Sequence, residues 1–402
     1  MNPQLAKLQP YPFERLRQLF ADTTPSTDFS AISLGIGEPK HATPPFIKEA
    51  LSASLGALAS YPATSGEPKL RQSFTEWLQR RYGLALDAAT QVLPVNGSRE
   101  ALFSLAQTVI DPTRAPVVLS PNPFYQIYEG AALLAGAEPY YVPSLPERGF
   151  AVDWDSVSSG VWARTQLVFV CSPGNPTGAV MSLSEWQKLF ALADRHGFVI
   201  AADECYSEIY FRDEPPLGAL EAAARLGRND FRNLIALTSL SKRSNVPGLR
   251  SGFVAGDAAI LESFLLYRTY HGSAMSGTVA AASIAAWNDE AHAVDNRAQY
   301  RAKFAAVTPL LEPVLDVRLP DASFYLWAGV PAAWQGNDEA FARALYAQYN
   351  VTVLPGSYLA RDFGGANPGR GRIRMALVAE TGECIEAAQR IVKFTQDRAF
   401  PT

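Results

Sequence analysis

Short apolar runs alternate with amphipathic stretches through the middle of the chain. VVLS (117–120), PYYVP (139–143), LVFVCSP (167–173), FVIAADE (198–204), LIALTSLS (234–241) and GFVAG (252–256) read as strands. Helical periodicity covers 45–58, 67–82, 98–110, 124–136 and 182–196. Such alternation predicts an α/β protein with a mostly parallel sheet, whose ligands sit at the carboxyl ends of the strands. After about residue 290 the pattern changes to a long helix, short strands around 315–330 and 351–354, and a final helix over 380–397. That change predicts a second, smaller α+β unit. Ahead of the alternating region come an amphipathic run, Pro12 to Phe20, and ISLGIGEPKHATPP (32–45), a short strand followed by a turn-rich loop.

Composition narrows the class. With 402 residues, 48% of them hydrophobic, the chain can build more than one core. A net charge of −4 gives no reason to expect nucleic acid or an anionic membrane as partner. Cys171, Cys205 and Cys384 are too few and too scattered for a disulfide framework or a zinc site, which points to a reducing compartment. The N-terminus MNPQLAKLQP lacks the apolar core of a signal peptide, and Met275–Trp287 is too short to span a bilayer. A soluble, cytoplasmic protein is expected.

The candidate chemistry centres on LTSLSKRSNVPGLRSGF (237–253). The hydroxyls of Ser239 and Ser241 and the guanidinium fork of Arg250 suit a phosphate ester. Lys242 lies between them with no carboxylate beside it in the sequence, and a desolvated lysine is a nucleophile for an aldehyde. A lysine beside a phosphate grip suggests pyridoxal 5′-phosphate. Other parts of such a site occur upstream. VNGSREALF (95–103) opens a helix whose free N–H groups suit an anion. Tyr125, in SPNPFYQIYEG (120–130), offers a ring for stacking. CSPGNPTG (171–178) presents Asn175 from a rigid turn, and AADECYSEIY (201–210) ends an apolar run on Asp203, a carboxylate costly to bury unpaired. Each stretch alone is equally an ordinary turn, helix cap or surface loop.

Together these motifs resemble the class I/II aminotransferases of the aspartate aminotransferase (fold type I) superfamily, over essentially the whole chain. The resemblance implies a large domain, residues 46–290, with a mostly parallel seven-stranded sheet sandwiched by helices. It implies a smaller α+β domain from residues 1–45 and 291–402. Lys242 would carry the cofactor and then act as general base at the substrate Cα. Asp203 would keep the pyridine nitrogen protonated, and Asn175 and Tyr206 would donate to the phenolic oxygen. Gly97, Ser98, Arg99, Ser239, Ser241 and Arg250 would hold the phosphate, with Tyr125 stacked on the ring. Tyr61, in SYPATSGEPKLR (60–71), would reach the phosphate of a partner subunit, making the site shared across a homodimer. Arg374, in GRIRMAL (371–377), would bind the substrate α-carboxylate with Asn175 and the backbone around Gly37; Arg372, two positions away, is the alternative.

Substrate choice rests on narrower features. GEPKHATPP after Gly35 and RSNVPGLR after the cofactor lysine look like the strings of bacterial N-succinyldiaminopimelate aminotransferases. Lys40, His41 if protonated, and Arg243 are candidates for a distal carboxylate, with solvated loop residues as the alternative for Lys40 and His41. Asp321-Ala322, where relatives often carry an acidic residue and glycine, is expected to alter the pocket wall near Phe324 and Tyr325. Rival readings are an aminotransferase for aspartate, alanine or aromatic amino acids, and a C–S lyase on the same scaffold. A transcription regulator would need a basic DNA-binding module, for which the chain has no room.

Overall fold

The computed structural model describes residues 1–397; residues 398–402, the end of the expected smaller unit, lie outside the described residues. In chain order the strands are β1 (Ile32–Ser33), β2 (Val92–Val95), β3 (Val117–Asn122), β4 (Glu138–Pro143), β5 (Thr165–Cys171), β6 (Val199–Asp203), β7 (Leu234–Ser239) and β8 (Gly252–Gly256). They continue with β9 (Tyr325–Gly329), β10 (Val351–Thr352), β11 (Leu354–Pro355) and β12 (Arg372–Ala376). Seven of them form one sheet in the order β2-β8-β7-β6-β5-β3-β4. Strands β3 to β7 pair in parallel, and β8 runs antiparallel to both of its neighbours.

The central strands are apolar throughout because both faces of the sheet are covered. Alternate residues enter opposite cores. Val168, Val170, Ile200 and Ala202 pack with Phe74, Trp77, Trp186 and Trp287 on one face. Leu167, Phe169, Val199 and Ala201 pack with Leu102, Leu105 and Phe264 on the other. The apolar stretch before Trp287 is the buried helix Gly277–Asn288.

Strand β2 carries no comparable apolar-run signal in the sequence. Pro94 sits inside it, and proline has no N–H for a ladder; β2 tolerates it because it is the edge strand. The helix expected over 124–136 is shorter, Ile127–Leu134. The Phe124 N–H donates instead to the Leu359 carbonyl (3.0 Å), which holds the segment before the helix against the C-terminal part of the chain.

A further core lies among the later elements. Tyr300, Phe304 and Val307 of helix Ala291–Leu311, Ile373 and Met375 of β12, and Ile391 and Phe394 of helix Thr381–Asp397 pack together. Residues Ile32 and Leu34 join this core, and β1 pairs in parallel with β10. The N-terminal segment thereby crosses to the C-terminal part. Strands β11, β12 and β9 form an antiparallel sheet over it. Among the described residues, no helix is long and apolar enough to cross a membrane.

Candidate active site

A cavity of about 530 Å³ opens at the carboxyl ends of the parallel strands. Its wall takes Ser98 from the helix after β2, Tyr125 from beyond β3, Asn175 from beyond β5, Asp203 from the end of β6 and Ser239 from the end of β7. Lys242 lies in the one-turn helix Leu240–Arg243 that follows β7. Its Nζ donates to the Gly37 carbonyl (2.7 Å). Burial lowers the Lys242 ammonium from its ordinary value to about 8, so the neutral amine is accessible near neutrality. Gly37 must lack a side chain, because a Cβ there would lie 2.0 Å from the Tyr325 hydroxyl.

Asp203 is buried at the cavity floor. Its carboxylate accepts from the Tyr128 hydroxyl (2.9 Å) and the Cys205 N–H (3.3 Å). Burial pushes its acid upward, the Tyr128 and Cys205 hydrogen bonds and the Lys242 charge opposing. A cationic group facing it would restore the ionised form. The Tyr206 hydroxyl meets that of Tyr325 at 3.1 Å.

One end of the cavity is built for an anion. Helix Ser98–Val109 begins at Gly97, whose φ of 84° is glycine's territory and which offers no side-chain cap to the first N–H groups. A Cβ on Gly97 would fall 2.3 Å from Arg250 Nη2, so the guanidinium lies directly against the helix start. Ser239 Oγ donates to Ser241 Oγ (2.9 Å), and Arg99 Nε donates to the Tyr125 hydroxyl (2.7 Å). At the other end Arg374 is buried. It donates to Asn175 Oδ1 and to the Gly35 carbonyl, both at 3.0 Å, and its guanidinium lies 4.2 Å from the Tyr325 ring centroid. Arg374 Nε is buried with no hydrogen-bond partner among the described residues. The Asn175 carbonyl faces Arg374, leaving its NH₂ group to point elsewhere.

Comparison with known proteins agrees with this geometry. The sequence model of the family described as aminotransferase class I and II matches residues 30–391. The chain belongs to that family. An LL-diaminopimelate aminotransferase of Nitratidesulfovibrio vulgaris is 32% identical over 393 residues, covering 96% of this chain and 97% of that protein. An aminotransferase from Neisseria meningitidis of known structure is 55% identical with a TM-score of 0.95, covering 98% of this chain and 100% of that one. A probable N-succinyldiaminopimelate aminotransferase from Thermus thermophilus is 25% identical with a TM-score of 0.83, covering 95% and 98%.

As a class I and II aminotransferase, the protein works with pyridoxal phosphate. The cavity fits that group: an uncapped helix start with Arg250 and serines for the phosphate, a buried carboxylate for the ring nitrogen, and a half-buried lysine between them.

The structure brings Ser98, Arg99, Tyr125, Asn175, Asp203, Tyr206, Ser239, Ser241, Lys242, Arg250, Gly37 and Arg374 onto this one cavity. Gly97 stands directly behind it, against Arg250. Arg372 is not the alternative grip, for its guanidinium pairs with Asp316 (2.8 Å). Three distal-anion candidates are corrected. His41 is buried away from the cavity between Asn296 and Lys303, and this anchoring turns its neighbour Lys40 out to solvent, off the cavity wall. Arg243 is buried against the Ala286 carbonyl (2.8 Å), the Asp289 carbonyl and Glu290. Tyr61 lines a separate groove with Met275 and Gly277, its ring fully exposed.

Sequence reasoning missed Tyr128, Glu38 and Tyr11. Tyr128 had a signal, since it lies three residues after Tyr125, one helical turn on. Glu38 and Tyr11 come from irregular segments that reach the cavity only through tertiary packing.

Proposed function

We propose that the protein moves an amino group between N-succinyl-LL-2,6-diaminopimelate and 2-oxoglutarate, as a homodimer. The observation that carries the amino-acid reading is Arg374, a buried cation bonded only to neutral oxygens, across the cavity from Lys242. Such a charge is costly unless an anion completes it, and a substrate α-carboxylate does so.

When bound, pyridoxal phosphate supplies an electron sink for the carbon that loses its proton. The residues here do the rest. Gly97, Ser98, Arg99, Ser239, Ser241 and Arg250 would hold the phosphate, and Tyr125 the ring face. Asp203 would keep the ring nitrogen protonated, with Tyr128 orienting its carboxylate. The Asn175 NH₂ and the Tyr206 hydroxyl would donate to the phenolic oxygen. Lys242, once its amine is free, would take the proton from the substrate Cα, its lowered affinity for protons suiting a base near neutral pH. The Gly37 carbonyl orients that amine.

Substrate length finds support in the wall of Tyr11, Pro12, Phe13 and Ile36, an apolar lining suited to the methylene chain of a long substrate. The strings GEPKHATPP and RSNVPGLR support the succinylated form. A second reading, free LL-diaminopimelate, is favoured by Glu38, whose carboxylate on the cavity wall suits a distal ammonium, and by curated relatives of that name. For the homodimer, the exposed Leu55, Leu58 and Tyr61 beside the groove of Met275 and Gly277 give an apolar surface for a second copy, and Tyr61 a path to its phosphate site. The separate apolar cores support residues 46–290 and the remainder as two working domains.

Single-turnover spectroscopy tests the reading. The visible band of the cofactor-loaded enzyme should disappear rapidly with N-succinyl-LL-diaminopimelate and with glutamate. Rapid loss with free LL-diaminopimelate instead selects the second reading, and release of pyruvate and ammonia from a cysteine conjugate would mean a lyase.

A further inference from the structure

Behind the cavity, His41, Asn296 and Lys303 form a buried chain of hydrogen bonds. Asn296 Nδ2 donates to the backbone carbonyls of Lys242 (3.0 Å) and Arg243 (3.3 Å). Its Oδ1 therefore faces His41 Nδ1 at 2.7 Å, and also accepts from Asn245 Nδ2 at 3.0 Å. An amide oxygen only accepts, so His41 Nδ1 must carry the proton. The other ring nitrogen, Nε2, is then the acceptor for Lys303 Nζ at 2.6 Å. This assignment leaves no donor facing a donor.

The charges around the ring agree. Lys303 faces it from helix Ala291–Leu311 and Glu380 from just before the C-terminal helix, while the Tyr300 ring lies 4.6 Å away. Lys40 adds positive charge near Lys303, and Glu380 and Glu383 oppose it. Burial, with Lys303 adding to it, holds the His41 imidazolium below its ordinary value, the Asn296 hydrogen bond and Glu380 opposing.

The chain joins parts that must keep register. His41 ends the loop whose Gly35 carbonyl accepts from Arg374 and whose Gly37 carbonyl accepts from Lys242 Nζ. Thr43, just beyond, donates to the Asn245 carbonyl (2.8 Å). One loop thus grips Lys242 at its amine directly and at its backbone through Asn296.

We propose that His41 is a positioning residue for Lys242: its Nδ1–H holds Asn296 against the Lys242 carbonyl and fixes the lysine relative to the loop that carries the substrate grip. This rests on the assignment of Lys242 as the reactive amine.

Nitrogen-15 spectra of the four histidine rings, assigned by the loss of one set in His41→Phe, give the first test. His41 should show the Nδ1–H tautomer and remain neutral below the ordinary histidine range. An Nε2–H tautomer, or an ordinary titration, overturns the proposal, and the His41→Phe variant serves only to assign the signal. The second test uses the cofactor-loaded enzyme. His41→Asn places an amide donor at the Nδ1 position for Asn296, His41→Gln carries its amide out to the Nε2 position beside Lys303, and His41→Phe keeps neither. The pH midpoint of the visible band should shift in the glutamine and phenylalanine variants, with kcat down by about tenfold, and both should return toward wild type in His41→Asn. Equal losses of Tm in all three with unmoved midpoints and kcat would mean a structural role only. A wild-type enzyme with no visible band would overturn the Lys242 assignment and this proposal together; a normal band with unmoved variants overturns this proposal alone.

Discussion

Two buried arginines, Arg243 and Arg374, are both near Lys242, yet they are finished differently. Arg243 is ion-paired with Glu290 (2.9 Å), donates to carbonyls of the segment after Gly277–Asn288 and within it, and does not line the cavity. Arg374 meets only an amide oxygen and a carbonyl, with no carboxylate against it, and lines the cavity; the Nε of both arginines lacks a partner among the described residues. A buried cation that the fold has neutralised is a strut. One whose charge is left open is a binding site, because its desolvation is offset only when an anion arrives.

The largest effect belongs to the amine both arginines flank. Lys242→Ala should lower the rate of amino-group transfer by about a thousandfold or more, read in single-turnover assays with saturating cofactor. Retention of most of the rate would remove the lysine from the chemistry and with it the meaning of Arg374's position.

The comparison itself is sharpened by paired variants. Arg374→Lys should cost about 1.5–3 kcal/mol in kcat/KM through lost charged hydrogen bonds, with Tm nearly unchanged. Arg243→Met should show the reverse, lowering stability by about 1–3 kcal/mol as buried carbonyls lose their donor. If both variants lose kcat/KM alike, the distinction between strut and site fails.

A pH experiment follows from Lys242. Its folded value, about 8, lies below its ordinary 10.5, so between those two pH values the unfolded chain binds more protons and stability rises with pH. Chemical denaturation of the cofactor-free protein should show that rise, and Lys242→Met should flatten it. The smallest effect is predicted for Lys40→Ala. An exposed side chain off the cavity should change stability by less than about 0.5 kcal/mol. It should also alter kcat/KM equally for long dicarboxylic and short monocarboxylic substrates; selective loss of the long one would restore Lys40 to a distal role.

Much of this protein was legible from its residues. Apolar runs such as LIALTSLS and GFVAG announced central strands because a doubly covered sheet demands continuous apolarity. The chemical groups stood at strand ends, where a polar residue closing an apolar run has to be used or satisfied: Asp203 and Ser239 are of this kind. Local pattern also reached its limit at Val92–Val95, where Pro94 is tolerable only because the strand is at the edge. It reached it again at Lys40, His41 and Arg243, because a basic side chain reads the same in sequence whether it points at a substrate, at solvent or at another helix. Only the tertiary structure could supply His41 with Asn296 and Lys303, 255 and 262 residues away, or give Asp203 the hydroxyl of Tyr128. The sequence determines which groups are present and where the strands end; which of them remain unpaired is decided by what the folded chain packs against each one.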